Sequence, residues 1–433
     1  MSSPVRYLAA LAGSALVLTS LASAAPVAHA DATIQVKDLV LTVGATSSER
    51  GVAWLGGVGV DDHIQLTQVT GRSHHRTTTV APTSAGTAGE QTGWEWNQAT
   101  LRGLKTHTTY SYRICSAAGS CTDAHRFRTG SAGNFSFLVY GDPQVYVQKG
   151  GNPTTAVVDG WTQTLAESTG AFPKTAFLLT AGDQVDSYNV SAQPAEWDGF
   201  LSPEQLTTYG LAPNVGNHDD ASTTGYLYAQ HFALPNLSTT GQSAAGTGDY
   251  WYTYNGVLFL SINSNSLDFA GHEAFLEQAV KAAPKARWRI LSFHHAPFSS
   301  ADHPLDSNVA QIREQFTPVI SKLGIDLVLN GHDHDYTRSY LMDGDSVASP
   351  QAGGHVTAKP GQVLYITTNS ASGGKFYDLT GPYPWAAVTN QADKANYTNV
   401  EVTGDALVVT TYEVGGSVID RVTLTRTKAR CGR

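Results

Sequence analysis

Five short clusters of Asp, Asn, Gln and His each follow an apolar run directly. They are Gly141-Asp142-Pro143-Gln144, Gly182-Asp183-Gln184-Val185-Asp186, Gly216-Asn217-His218-Asp219, His294-His295-Ala296-Pro297 and Gly331-His332-Asp333-His334. Oxygen and nitrogen donors with no cysteine among them suit Fe, Mn or Zn better than a thiolate-seeking ion. His332 and His334 are two residues apart, and on extended backbone such side chains point the same way. That spacing suits two ions about 3.5–4 Å apart, the separation found in two-metal hydrolases, with one carboxylate bridging them. Two divalent ions against two carboxylates and a hydroxide leave a charge of about +1, which attracts phosphate. A lone Asp after a strand is ordinarily a turn or helix-cap residue. Five clusters in one chain are poorly explained that way.

The elements that must position them can be read from the apolar pattern. Residues 135–140, 176–180, 211–215, 258–263, 288–293 and 325–329 read as strands. Between them Val157, Val158, Trp161 and Leu165 recur at helical spacing, as do Phe275, Leu276, Ala279 and Val280, a helix that Pro284 should stop. A third such face, Val309, Ile312, Phe316, Val319 and Leu323, should be kinked by Pro318. Strands alternating with helices predict an α/β layered domain, and such folds gather their sites at the carboxyl ends of the strands. Runs at 363–368, 398–402, 406–411 and 417–426 should complete it. Residues 31–130 instead show short runs separated by Gly, Ser, Thr and Asp with no helical period, which predicts a β-sandwich. Within them, residues 101–112 resemble the tyrosine-corner strand of fibronectin type III modules, with Trp54 as the core tryptophan. Cys115 and Cys121 bracket five turn-forming residues and should form a disulfide; Cys431 is left free or pairs between chains.

Composition narrows the partners. The chain carries 27 basic and 36 acidic residues, a net charge of −9, without a Lys/Arg-rich cluster, which argues against a nucleic-acid or anionic-membrane surface. With 8 Trp, 19 Tyr and 14 Phe and few charges, it can build a core and is not disordered. Arg6, the apolar residues 7–18 and Ala28-His29-Ala30 read as a secretory signal peptide cut after Ala30, so the product is expected outside the cell. The expected organisation is a signal peptide at 1–30, a sandwich at 31–130 and a catalytic domain at 131–433.

The order GD, GD, GNHD, HHAP, GHDH resembles that of the metallophosphoesterases, the calcineurin-like superfamily. Residues 331–339, Gly-His-Asp-His-Asp-Tyr-Thr-Arg-Ser, look most like the purple acid phosphatase branch. That branch also has a fibronectin-like N-terminal domain ending in Tyr-x-Tyr-Arg and Phe-Arg-Thr segments, here residues 110–113 and 127–129. The resemblance implies a fibronectin III-like sandwich followed by two mixed sheets flanked by helices. It implies one metal on Asp142, Asp183 and His334, and a second on Asp183 as bridge, Asn217, His295 and His332. His295 is chosen over His294 because it directly precedes Ala296-Pro297, leaving His294 to packing or support of the site. His218 would protonate the leaving oxygen or hold the phosphate, and Asp219 would orient it or support the structure. His303 would reach the phosphate.

Two positions depart from the family. The tyrosinate ligand expected three residues after the bridging Asp is replaced by Asp186, and Tyr188 has the wrong spacing to substitute. The His common two residues after the first Asp is replaced by Gln144, which either coordinates through its amide oxygen or supports the site. The expected function is that of a secreted phosphomonoesterase acting on small phosphorylated substrates, in which a metal-bound hydroxide attacks phosphorus in line. The alternatives are a phosphodiesterase or nucleotidase on the same site, and an adhesion or binding module on a degenerate one.

Overall fold

Phe137 and Val139 lie on one face of the strand Phe135–Tyr140 and Leu138 and Tyr140 on the other, and all four are buried. A strand buried on both faces belongs in the middle of a layered structure. The computed structural model describes residues 34–69, 76–146, 155–220 and 225–427; the predicted signal peptide and Cys431 lie outside them. Phe135–Tyr140 pairs in parallel with Leu178–Thr180, which pairs in parallel with Leu211–Pro213. A second sheet has Val257–Ser261, Trp288–Ser292, Leu327–Asn330 and Leu364–Thr367 in parallel order.

The two sheets face each other across Phe137, Val139, Phe177 and Leu179 on one side and Phe259, Ile290, Leu329 and Ile366 on the other. Helices cover both outer faces. Trp161, Leu165, Trp197 and Phe200 pack on Leu138, Tyr140 and Leu178, while Phe275, Leu276 and Phe316 pack on Leu260, Leu291 and Val328. Each such fully buried side chain contributes on the order of 1.5–3 kcal/mol of transfer free energy. The helix Phe269–Ala282 starts on Asp268, whose carboxylate accepts from the Gly271 amide at 3.0 Å, and it ends two residues before Pro284. The kink expected at Pro318 takes the form of a π-helical turn, Ile312–Phe316, between Ser307–Gln311 and Thr317–Lys322. The extra residue in that turn accommodates a proline that offers no N–H. Asn396–Val402 pairs antiparallel with Phe135–Tyr140, and Ala406–Glu413 and Val418–Arg426 follow it in antiparallel order to extend the first sheet, as the apolar runs there predict.

Residues 34–128 are dominated by strands. Val36–Val43, Arg50–Gly57, Trp94–Leu101 and Ser84–Thr87 face a four-stranded sheet of Arg76–Val80, Asp62–Val69, Thr109–Ser116 and His125–Arg128. Trp54, Ile64, Leu66, Tyr112 and Phe127 fill the space between them. The Tyr110 hydroxyl accepts the Lys105 amide at 2.8 Å, tying that strand to the turn before it. Cys115 and Cys121 are disulfide-bonded. Through Thr42 and Leu211, the strand Val36–Val43 joins the first large sheet. Among the described residues no helix is long and apolar enough to cross a membrane.

Candidate metal centre

Every cluster singled out in the sequence lies just past the carboxyl end of a strand, and all of these strands end at one edge of the facing sheets. Five of the proposed ligand residues adopt left-handed backbone: Asp142 (φ 37°), Gln144 (34°), Asp183 (49°), His332 (75°) and His334 (46°). Each such conformation costs about 1–3 kcal/mol and persists only where the surroundings fix it. Here the fixing bonds run between loops. The His332 amide donates to both Asp142 oxygens at 2.9 and 3.0 Å, the Gln144 amide to the Asp183 carbonyl at 2.8 Å, and the His218 amide to Asp183 Oδ1 at 2.9 Å. Gly331 has no room for a side chain, since a Cβ there would press on the Asp142 carboxylate.

The structure brings Asp142, Gln144, Asp183, Asn217, His332 and His334 together. His294 lies among them as well, and the His295 ring borders the cluster beside His332. His294 Nε2 lies 3.1 Å from Asp183 Oδ2, 2.9 Å from Asn217 Oδ1 and 3.1 Å from His332 Nδ1, and its Nδ1 donates to the Ala181 carbonyl at 2.9 Å. Donor atoms of Asp183, His294 and His332 all lie within 4.8 Å of one another. His295 instead has its Nδ1 at 2.9 Å from the Ser264 hydroxyl, with its ring 4.4 Å from that of His332. The reason is parity along the strand. His294 shares a face with Ile290 and Ser292, which point at the first sheet, whereas His295 shares one with Leu291 and Phe293, which point at the helices. His334 Nε2 stands 3.6 Å from Asp142 Oδ1.

The remaining candidates surround this cluster. His218 stacks on Tyr188 with ring centroids 4.3 Å apart; its Nδ1 donates to the Asp186 carbonyl and its Nε2 faces the Tyr188 hydroxyl at 3.2 Å. Asp219 is buried beneath and accepts from the backbone amides of Gly216 (2.8 Å) and Gln184 (3.0 Å), which braces two ligand loops. His303 lies beside His332, rings 4.4 Å apart, with its Nδ1 on Asp306. Three neighbours escaped the sequence reading as site residues. Tyr188 accepts from Asn217 Nδ2 at 2.7 Å, Tyr377 packs its ring 5.0 Å from His334, and Lys375 offers its carbonyl to His334 Nδ1 at 2.9 Å. Lys375 and Tyr377 follow the predicted strand near 363–368, so their loop emerges at the same edge, a signal present in the sequence.

Burial raises Asp142 above the ordinary carboxylate range, with His294 opposing and Asp183 adding to the shift. Burial also works against the charge on Asp183, yet His294 and His218 hold it below that range. His294 loses by burial but is carried up to about 9 by Asp183 and Asp142. Burial lowers His295 and His334 to about 3, and lowers His332 well below its usual value. The neutral imidazoles of His332 and His334 are in the state that metal ligation requires, whereas His294 must give up its proton to ligate. The donor set fits a metal centre on a further observation: Gln144 Oε1 is buried with no hydrogen-bond partner among the described residues, while its Nε2 donates to Asp183 Oδ2 at 3.3 Å.

Residues 134–336 match the family model of the calcineurin-like phosphoesterases. Purple acid phosphatase 17 of Arabidopsis thaliana is 32% identical over 107 residues, which cover 24% of this chain and 30% of that protein. An uncharacterized protein of Mycobacterium tuberculosis is 25% identical over 156 residues, 30% of this chain and 28% of its own length. The chain thus spans under a third of the length of these curated relatives. A solved purple acid phosphatase from yellow lupin (Lupinus luteus) seeds shares the fold, with a TM-score of 0.73 over 91% of this chain and 75% of that one, at 14% identity. The matched segment, the shared fold and the ordered clusters agree: residues 134–336 are similar to the calcineurin-like phosphoesterases, and the chain shares sequence and fold features with purple acid phosphatases.

Proposed function

We propose that this protein is an exported metal-dependent phosphoesterase that acts on small phosphate monoesters. The observation that carries the reading is the convergence of two buried carboxylates, Asp142 and Asp183, with His294, His332, His334 and Asn217 at one sheet edge. Asp142, Gln144, Asp183 and His334 would hold one ion; Asp183, Asn217, His294 and His332 the other. In this reading His294 fills the place expected of His295, whose ring packs beside that of His332. Two bound divalent ions would polarise a phosphoryl oxygen and lower the pKa of water to supply a nucleophile.

The chain's own groups do the rest. The Asp186 carbonyl accepts from Nδ1 of His218 and so turns Nε2 outward beside Tyr188, where it can hand a proton to a leaving oxygen. Asp219 keeps the two loops that carry Asp183 and Asn217 in register. His303 borders His332 and can donate to the phosphate from that side. Export is supported by the Cys115–Cys121 disulfide, and a fibronectin III-like N-terminal module by the facing strands and the Tyr110–Lys105 bond. The test is to strip the full chain with a chelator, reload it with Mn, Zn or Fe, and assay a nitrophenyl monoester and diester. Metal-restored hydrolysis favouring the monoester is expected. A diester preference would support the phosphodiesterase alternative, and metal-independent inactivity the binding-module one.

A further inference from the structure

We propose that Lys375 sets the preference of this site for phosphate monoesters, its ammonium binding the second anionic phosphoryl oxygen that a monoester carries and a diester lacks. The proposal rests on the phosphoesterase reading and names the feature that would select the substrate class.

Three contacts fix the residue at the site. Its carbonyl accepts from His334 Nδ1 at 2.9 Å, so the loop backbone is pinned to a proposed ligand. Its ammonium sits 4.8 Å from the centroid of the Tyr377 ring. That ring in turn packs against His334 (5.0 Å) and His303 (5.2 Å), both bordering the cluster. Lys375 is half-buried, and a cation held on an aromatic face loses less freedom on binding an anion than a lysine ranging through solvent. The ammonium interacts electrostatically with Asp186, Asp183 and Asp142. Lys375 also lines a cleft of about 550 Å³ with Asp302, Tyr377, Asp378, Thr380 and Asp393, which has room for a leaving group.

The chemistry follows from charge. The second ionisation of a phosphate monoester falls at about 6, so near neutral pH it is largely a dianion. A diester has one negative charge, and the corresponding oxygen carries carbon. A lysine placed there gains a charge-assisted hydrogen bond from the monoester and none from the diester. Discrimination of this kind combines an attraction with a mismatch.

The experiment uses the metal-loaded full chain and two variants, Lys375→Met and Lys375→Arg. It measures kcat/KM on a nitrophenyl monoester and a bis-nitrophenyl diester, competitive inhibition by inorganic phosphate, and bound metal. Lys375→Met should lower monoester kcat/KM and weaken phosphate inhibition by about 10–100-fold, the range of one charge-assisted hydrogen bond. Diester turnover should stay within about threefold by the same reasoning, and Lys375→Arg should recover most of the loss with metal content unchanged. Equal losses on both substrates, or loss of metal from Lys375→Met, would assign Lys375 to holding His334 and overturn the proposal. If the unaltered protein hydrolysed neither ester, the phosphoesterase reading would fail. Phosphate binding to the metal-loaded variants would then still decide whether Lys375 holds the anion.

Discussion

His294 and His295 are neighbours with opposite surroundings, and separate alanine substitutions should divide their roles. A structural metal site contributes about 10–16 kcal/mol over about four ligands, so one imidazole stands for about 2.5–4 kcal/mol. At 1.4 kcal/mol per decade, His294→Ala should weaken the ion it holds by about 10²–10³-fold. Its Nδ1–H is already committed to the Ala181 carbonyl, which leaves Nε2 as the ligating nitrogen toward Asp183 and Asn217. His295 has its Nδ1 on Ser264 and its ring on His332, so its removal loosens an orienting contact and should cost about tenfold in affinity. The assay is elemental analysis after dialysis against a buffered metal at a free concentration near the wild-type dissociation constant, with calorimetric titration for the affinities. Metal retained by His294→Ala and lost by His295→Ala would refute the parity argument and restore the original assignment.

His218→Ala should keep both ions and lose turnover by on the order of 10²–10⁴-fold, as expected for a general acid, and elemental analysis beside kcat separates this from a structural role. Metal uptake should strengthen as pH rises. In the metal-free protein His294 keeps its proton up to about 9, against about 6.5 unfolded, so its contribution to stability is complete below the lower value and lost through the higher one. Displacing that proton should raise affinity by up to about tenfold per pH unit in this window, and a pH-independent affinity by competition titration would contradict it. The isolated protein should show no tyrosinate band in the visible. Asp186 stands at the lost tyrosine's place, and Tyr188, pushed up to about 12 by burial and by Asp183, is bonded to Asn217 and His218; a purple protein would place Tyr188 on a metal.

Most of the fold was legible because the strands that carry the site are short apolar runs, each closed by a polar cluster. The convergence of Asp142, Asp183, Asn217, His332 and His334 followed from that pattern together with the rule that α/β sites form at strand carboxyl ends. The choice between His294 and His295 was not legible in the same way. Alternation says that they face opposite sides, and only the packing of Ile290 and Phe293 says which side is the other sheet. Tyr188, Lys375 and Tyr377 sit on loops, where no periodicity records the direction of a side chain. The junction of Val36–Val43 with Leu211–Pro213 is a pairing between distant segments that local pattern does not encode. Asp219 was read as orienting His218 or as structural support, and its carboxylate accepts the backbone amides of two tight turns.

The central claim is that two ions held at this sheet edge carry out phosphate ester hydrolysis. Its most direct test is a titration of the metal-stripped full chain with Mn or Zn, counting ions bound per chain and monoester hydrolysis in the same samples. Activity should follow the second ion and saturate at two per chain. Full activity with a single ion, or two bound ions without hydrolysis, would contradict it.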